Sequence, residues 1–303
     1  MPVSEAELER AAQILRSGGL VAFPTETVYG LGANALDPVA VRRIYEAKGR
    51  PSTSPLIVHI SSFDMLPQVT AAWSDRAQAL AERFWPGPLT LVLKKNRKVP
   101  DEVTAGLDTV GVRMPAHPIA QQLIGRTGLP LAAPSANRFT EVSPTTAAHV
   151  REALGDRVGL ILDGGPCQVG IESTVLSLVE DQPALLRPGM VSAAEIERII
   201  GPISMHSPTP VNHAHASPGL HERHYSPRTP LLILDDDDAL PEGRGRELIL
   251  PGDPQQFAAV LYSELHAADK QGWQWIAIRR PPDRPEWLAV KDRLKRAGRE
   301  AAR

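Results

Sequence analysis

The sequence predicts an α/β protein whose main sheet mixes parallel and antiparallel strands, followed by a second, smaller α/β unit. Up to about residue 202, short runs of β-branched and aliphatic residues alternate with amphipathic helical patterns. Some predicted strands follow a helix and others follow one another directly, which favours a mixed sheet over a purely parallel one. A proline-rich stretch at 201–230 then separates this part from new strand and helix patterns at 231–303.

Length and composition limit the classes of protein to consider. A chain of 303 residues is long enough for two domains. The net charge of -2 excludes a global basic field for nucleic acid, and the apolar runs are far shorter than a membrane span. Cys167 is the only cysteine, which excludes an internal disulfide and any multi-cysteine metal site. The acidic N-terminus lacks the pattern of a secretory signal, so we expect a cytoplasmic protein without membrane contact.

The elements of the first part have recognisable starts and stops. Ser4 and Glu7 have the spacing of a capping box, and the helix that they begin stops at glycines 18–19. Asp37 followed by Pro38 is typical of a second helix start. Further helical patterns lie near 74–83, 117–125, 144–154 and 192–200. Strands are predicted at 20–23, 56–60, 89–93, 111–114, 129–133, 159–163, 174–179 and 184–187.

The second part is predicted to be a linker and a small domain. Residues 203–230 contain many prolines and histidines and few apolar residues to bury. Strands at 231–234 and 275–278, a helix near 254–268 and a closing helix from Glu286 follow, in a unit near the lower size limit of an independent core. The basic C-terminal stretch favours a solvated surface, with a nucleic-acid contact as the alternative.

The densest group of polar side chains directly follows the first predicted strand, at residues 24–32. Loops that follow strands are common ligand sites in open α/β sheets, and Thr25, Glu26, Thr27 and Tyr29 offer hydroxyls and a carboxylate to a small polar molecule. A hydrogen-bonded turn is an equal alternative. The sequence contains neither of the two common glycine-rich phosphate motifs.

Two basic residues on one loop are candidates for binding a polyanion. Lys48 and Arg50 are separated by one glycine and followed by proline, so both can reach the same group. The alternative is a helix C-terminus whose cations complement the dipole. The hydroxyls at 52–54 favour phosphate binding.

Other candidates lie within or at the ends of predicted strands. His59, in an apolar strand, is by itself more typical of a core residue than of a ligand. Arg113, in another strand, favours a substrate carboxylate over a structural ion pair, because a guanidinium is rarely buried without an anion. Ser135 and Asn137 suit polar contacts with a ligand, since no G-x-S-x-G elbow surrounds the serine.

Three further features favour structural interpretations. Ser143-Pro144 is typical of a helix N-cap with proline at the first helical position, although the free amides of such a helix start would also suit a phosphate. Cys167 is interpreted as structural because no base is paired with it in the sequence. The linker histidines lack metal-binding spacing, so no protein metal site is predicted.

Taken in order, eight segments resemble motifs of the YrdC-like threonylcarbamoyl-AMP synthases. They are P-T-E-T-V-Y-G-L-G at 24–32, K-G-R-P at 48–51, P-L-I-V-H-I at 55–60, W-P-G-P-L-T at 85–90, G-V-R-M-P at 111–115, P-S-A-N at 134–137, E-S-T-V at 172–175 and L-R-P-G at 186–189. The resemblance covers roughly residues 5–202. S-P-G-L-H-E-R-H-Y-S-P at 217–227 is similar to the linker of the longer, two-domain members, although the C-terminal unit at 231–303 looks shorter than theirs.

This resemblance implies a fold and a reaction. The fold is an open, twisted mixed sheet with a concave, basic-lined cavity, in a catalytic domain at 1–202. The linker at 203–230 acts as an active-site lid. The enzyme is a nucleotidyltransferase that combines L-threonine, bicarbonate and ATP into threonylcarbamoyl-AMP and pyrophosphate, for the modification of tRNA beside the anticodon. Mg²⁺ accompanies ATP, no organic cofactor is expected, and a threonylcarbamoyl transferase complex uses the product.

The resemblance also implies roles for individual residues. Lys48 and Arg50 are the catalytic cations at the phosphates. The residues implied for threonine are Thr27, His59, Arg113, Ala133 and Ser173. The residues implied for ATP are Arg50, Ser54, Thr109, Ser135, Asn137, Ser143, Arg187, His224 and Tyr225. A contact with tRNA stays open, as does a non-catalytic structured-RNA-binding module of the same fold, whereas a carbamoyl-transfer maturation factor would carry cysteine-rich zinc segments.

Overall fold

The structure is a computed structural model that describes residues 3–205 and 224–300. The helices of the first part are α1 (Glu5–Arg16), α2 (Pro38–Lys48), α3 (Leu66–Val69), α4 (Asp75–Phe84), α5 (Asp101–Thr104), α6 (Pro118–Thr127), α7 (Ala147–Leu154) and α8 (Ala193–Ile200). Its strands are β1 (Val21–Phe23), β2 (Gly30–Asn34), β3 (Ile57–His59), β4 (Leu89–Lys94), β5 (Thr109–Arg113), β6 (Leu131–Ala132), β7 (Leu160–Ile161), β8 (Thr174–Ser177) and β9 (Ala184–Arg187).

These strands form one mixed sheet, as predicted, in the order β7-β1-β2-β6-β3-β5-β4-β8-β9. The pairs β1/β7, β3/β5 and β4/β8 are parallel, and the other neighbours are antiparallel. All eight predicted strands are present, with ends shifted by at most two residues. The predicted capping box of α1 is also confirmed, because Ser4 accepts from the Glu7 amide while the Glu7 carboxylate accepts from the Ser4 amide.

Strand β2 is an element that the sequence interpretation missed. The sequence interpretation considers a ligand-binding loop and a hydrogen-bonded turn at residues 24–32, and it predicts no strand there. In the structure, Gly32 pairs with Val21, and a Cβ atom there would lie 2.6 Å from Cε1 of Phe23. Gly32 therefore permits close approach to the Phe23 ring within a sheet.

The interpretation of Ser143 as a helix N-cap is wrong. Helix α7 begins at Ala147, and Thr146 is its N-cap, with a side chain that accepts from the His149 amide. The Ser143 hydroxyl instead donates to Glu172 Oε1 at 2.6 Å. The Ser143 hydroxyl thus bonds to a carboxylate distant in sequence and does not form the helix cap that the local pattern predicts.

The small C-terminal unit contains a parallel four-stranded sheet. Its described elements are β10 (Leu231–Leu234), β11 (Gly245–Glu247), α9 (Pro254–Asp269), β12 (Trp275–Arg279), α10 (Leu288–Ala297) and β13 (Arg299–Glu300), with strand order β11-β12-β10-β13. The predicted strands and helices are present, and β11 and β13 are additional. Two helices connect parallel strands, as parallel pairing requires.

The core of the small unit is completed by the large one. Val28, Val142 and Ile171 belong to the same buried apolar cluster as Phe257 and Tyr262 of α9. A unit of this size has little apolar surface of its own to bury, so packing against the first part supplies what is missing.

Only the ends of the predicted linker are described, and 206–223 lie outside the described residues. Ser204 forms a parallel bridge with Ala184, and Ser226 forms one with Glu141. Both described ends are therefore attached to the first part. Among the helices of 3–205 and 224–300, none has the length and apolar character needed to cross a bilayer.

The contact between the units predicts a difference between two glycine substitutions. Gly165 and Gly170 have φ values of +79° and +78°, but a Cβ would meet nothing within 4 Å at Gly165 and would lie 2.3 Å from the Ala258 oxygen of α9 at Gly170. We expect Gly165→Ala to cost about 1 kcal/mol, from the left-handed backbone alone. Gly170→Ala should cost at least about 3 kcal/mol, because backbone must also move. Denaturant unfolding of both variants tests this, and equal losses would contradict the tight contact between loop and helix.

Candidate functional site

A small cavity lies on one face of the large sheet, where most of the predicted residues meet. Side chains alternate along β3, so Ile57 and His59 line the cavity while Val58 lies in the main core. The register of β3 with β5 places Arg113 beside His59. The cavity holds about 50 Å³, and its roof is formed by His224 and Tyr225.

The structure brings ten of the predicted residues to the cavity wall and leaves five outside it. The lining residues are Thr27, Arg50, His59, Arg113, Ala133, Ser135, Ser173, Arg187, His224 and Tyr225. The residues outside the wall are Lys48, Ser54, Thr109, Asn137 and Ser143. Three of these form a hydrogen bond with a lining residue: Lys48 with Ser135, Ser54 with Arg50, and Ser143 with Glu172. Asn137 accepts a hydrogen bond from Lys48 and is thereby linked to the same wall. Thr109 instead lines a separate, smaller cavity next to Thr90.

Arg113 is buried and paired with an acid. Its Nη2 lies 2.7 Å from Glu26 Oε1, and it donates from Nη1 to Thr27 Oγ1 at 3.0 Å and from Nε to the Gly87 oxygen at 3.2 Å. The sequence interpretation favoured a substrate carboxylate over a structural ion pair; the structure contains the ion pair with Glu26, and the substrate contact stays a prediction. The guanidinium has five N–H groups, so the three contacts leave two for a ligand.

His59 is held in its neutral form beside Arg113. Its ring meets the Phe23 ring edge-on, with centroids 6.3 Å apart, and its Nδ1 has no hydrogen-bond partner among the described residues. Burial, together with the nearby charge of Arg113, lowers the pKa of His59 to about 3. The expectation of a core histidine is thus only half right, because the ring is buried but lines the cavity.

Lys48 and Arg50 are buried cations with no carboxylate of the described residues within ion-pair distance. Lys48 Nζ donates to the carbonyl oxygens of Ser135 and Asn137, both at 2.5 Å. Arg50 donates to Ser54 Oγ at 2.5 Å and to the Pro55 oxygen at 3.1 Å, while its Nε is buried without a hydrogen-bond partner. Burial lowers the pKa of Lys48 and brings that of Arg50 to about 10. An anion bound at this wall would offset the cost of burying both positive charges.

Glu172 is a lining residue whose importance the sequence interpretation missed. Its carboxylate accepts from Ser143, and also from Tyr262 and Arg293 of the small unit. The available signal was its position directly before Ser173 in the E-S-T-V segment. The next residue, Ser173, is held by Arg187, which donates to its carbonyl and hydroxyl oxygens at 3.0 and 3.1 Å.

The roof of the cavity is built from the described C-terminal end of the predicted linker. Tyr225 has a left-handed backbone, with φ of 63°, and its ring stacks on Tyr262 with centroids 5.8 Å apart. Its hydroxyl is buried and has no hydrogen-bond partner among the described residues. Backbone strain and an unpaired buried hydroxyl at one residue are typical of a ligand-contacting position.

Comparison with known proteins agrees with this fold. Residues 13–189 match the family model described as telomere recombination, and residues 191–298 match the threonylcarbamoyl-AMP synthase C-terminal domain. The threonylcarbamoyl-AMP synthase of Pyrococcus abyssi is 43% identical over 97% of this chain and 95% of its own length. The Bacillus subtilis enzyme of that name is 41% identical over 98% and 94%.

The solved structures extend the agreement to three dimensions. A crystal structure of a related Pyrococcus abyssi protein complexed with L-threonine superposes with a TM-score of 0.90, at 39% identity, over 100% of this chain and 98% of that one. The matches define a nucleotidyltransferase-type enzyme with two units. The chain belongs to the threonylcarbamoyl-AMP synthase family.

The buried, neutral His59 predicts a pH dependence of stability. Unfolded His59 titrates near 6.5 and folded His59 near 3, so the unfolded state binds more protons between these values. The stabilising effect is complete above pH 6.5 and is lost as the pH falls towards 3, by up to about 1.4 kcal/mol per pH unit. We expect His59→Gln to flatten the dependence of unfolding free energy on pH. Urea unfolding of both proteins at pH 6.5, 5.5 and 4.5 measures this dependence. If the unfolding free energy of the variant changes with pH as steeply as that of the unsubstituted chain, His59 is not the group responsible.

Proposed function

We propose that this chain synthesises threonylcarbamoyl-AMP from L-threonine, bicarbonate and ATP, and releases pyrophosphate. The observation that carries the proposal is Arg50, a buried guanidinium beside Lys48 with no carboxylate of the described residues in reach. Such a charge is costly to bury, and a triphosphate is the kind of ligand that offsets the cost. The names of the full-length relatives support the same reaction.

The two ends of the cavity differ in charge, as the two substrates do. At the end proposed for threonine, Arg113 is neutralised by Glu26, which suits a zwitterion with no net charge. At the other end, Arg50 and Arg187 form a positive wall for the nucleotide. Thr27, His59, Ala133 and Ser173 complete the threonine site. Ser135, Tyr225 and His224 contact ATP, while Ser54, Asn137 and Ser143 support that wall from behind.

The chemistry needs orientation and charge neutralisation more than covalent help. The threonine amine and bicarbonate give a carbamate and water. A carbamate oxygen then attacks the α-phosphorus of ATP, and the bond to the β-phosphate oxygen breaks to release pyrophosphate. Arg50 neutralises the charge that develops on the phosphates, and Lys48 holds the loop of Ser135 and Asn137 in place.

Closure by the linker is part of the proposal. A cavity of about 50 Å³ is smaller than the roughly 300 Å³ at the low end of ligand sites, so His224 and Tyr225 must move for the nucleotide to enter. Their return over the bound substrates would exclude water. Water decomposes the carbamate and hydrolyses the mixed anhydride, so closure would protect both.

Mg²⁺ is proposed as the cofactor, coordinated by the triphosphate of ATP, because phosphoryl and nucleotidyl transfer use the metal complex of the nucleotide. Residues 3–205 and 224–300 contain no group of three or more His, Cys, Asp or Glu side chains placed to hold an ion. The proposed metal ligands are therefore phosphate oxygens, and no protein side chain is assigned to the ion.

The product is proposed to pass, in the cytoplasm, to a transferase complex that modifies tRNA. A direct tRNA contact by the basic C-terminal stretch receives little support, because Arg279, Arg280, Lys291 and Arg296 form ion pairs within the small unit. The alternative of a non-catalytic RNA-binding module is not favoured, since the full-length relatives are named as synthases.

Pyrophosphate release tests the reaction directly. We expect the purified chain to release pyrophosphate from Mg²⁺-ATP only when L-threonine and bicarbonate are both present, because both are needed to form the attacking carbamate. Omitting each in turn provides the controls. Release without threonine would indicate a different amine acceptor, and no release from folded protein would reject the enzyme assignment.

Arg50→Gln tests the phosphate wall. We expect the KM for ATP to rise about tenfold or more, with the KM for threonine little changed, because a charge-assisted contact is lost on one substrate only. Stability should stay equal or increase, since an uncompensated buried charge is removed. Arg43→Gln on the preceding helix α2, where the side chain donates to the Gly18 oxygen, is the matched control. A loss of stability with an unchanged KM for ATP would show that Arg50 is structural.

A further inference from the structure

The wall proposed for ATP contains one acid, which accepts hydrogen bonds from the small unit. Glu172 is the only Asp or Glu among the described residues that line the cavity. Its Oε1 accepts from Ser143 Oγ at 2.6 Å, and its Oε2 accepts from Arg293 Nε at 2.8 Å and from Tyr262 OH at 3.1 Å. Two of these three donors come from the C-terminal unit.

Arg293 is placed as an internal counter-ion. It lies on α10 and is fully buried. Besides the carboxylate of Glu172 it binds the Glu172 carbonyl at 3.2 Å and the Pro188 carbonyl at 3.0 Å, and it pairs with Asp292 at 2.8 Å. Its guanidinium also lies 5.4 Å from the ring centroid of Tyr225 in the roof.

Glu172 is ionised in this setting. Burial opposes ionisation, but Arg293, Arg187 and the hydrogen bond from Ser143 together lower the pKa of Glu172 below its usual value. A bare carboxylate at this wall would repel the phosphates that Arg50 and Arg187 attract, and at short range in a protein interior the repulsion is large.

We propose that Arg293 is a positioning residue of the nucleotide site, which neutralises Glu172 so that the wall facing ATP keeps a net positive charge. The C-terminal unit thereby sets the affinity for ATP without touching it. This inference rests on the proposed function, since it assumes that the ligand at this wall is a polyphosphate.

Two single substitutions separate a charge effect from a structural one, because they predict opposite signs. Arg293→Met leaves the carboxylate uncompensated and should weaken ATP binding about tenfold or more, with little change in the KM for threonine. Glu172→Gln removes the negative charge and should leave the affinity for ATP equal or higher. If the pair merely joined the two units, both variants would weaken ATP binding.

The double variant keeps the test decisive if Arg293→Met folds poorly. Removing one partner of a buried pair is far more damaging than removing both, so Glu172→Gln with Arg293→Met should recover stability and bring the affinity for ATP within about threefold of the unsubstituted chain. Tyr262→Phe removes a donor from the same carboxylate oxygen without changing charge, and should weaken ATP binding much less than Arg293→Met. Arg280→Met, at a half-exposed pair with Asp235, is the matched control for an arginine of the same unit.

Calorimetric binding of ATP, together with the KM for ATP and for threonine, provides the readout on the full-length chain. Recovery in the double variant and an unweakened Glu172→Gln would support the proposal. A double variant that binds ATP as poorly as Arg293→Met, or a Glu172→Gln variant that loses affinity, would overturn it. Binding of ATP without pyrophosphate release by the unsubstituted chain would reject the proposed reaction while leaving the charge effect measurable.

Discussion

Positive charge taken out of water is the constraint around which this site is organised. Arg113 is offset by Glu26, and Arg293 by Glu172 and Asp292. Among the described residues, Lys48 donates hydrogen bonds to carbonyl and amide oxygens and forms no ion pair. Arg50 has no carboxylate within ion-pair distance among the described residues. Its buried charge therefore favours the binding of an anion at this position.

The second organising feature is the way in which the small unit and the cavity share backbone segments. Val28, Val142 and Ile171 pack into the core of the small unit. Their next neighbours in sequence, Thr27, Ser143 and Glu172, form the cavity wall or contact it directly. Packing of the C-terminal unit therefore fixes the same short segments that hold the polar groups. Packing against the small unit limits the conformational freedom of these segments, as a preorganised site requires.

Local signals in the sequence were sufficient for most elements of the fold. The capping box at Ser4, the N-cap at Asp37 and the apolar strand runs depend on residues within one turn or one strand, and the structure confirms them. Strand β2 was missed because glycine permits both a turn and a close approach within a sheet, and only the Phe23 ring across the pair decides between them. Ser143 was misassigned for a similar reason, since its partner is 29 residues away.

The motifs in the sequence determined the fold class, the residue types at the site and the family, because each motif is a short stretch whose chemistry is visible locally. Only the tertiary structure decided which buried cation is paired with which carboxylate. Arg293 and Glu172 are 121 residues apart, and no pattern along the chain connects them. The effect of a buried charge depends on its nearest neighbours in space, and these are chosen by how the two units pack.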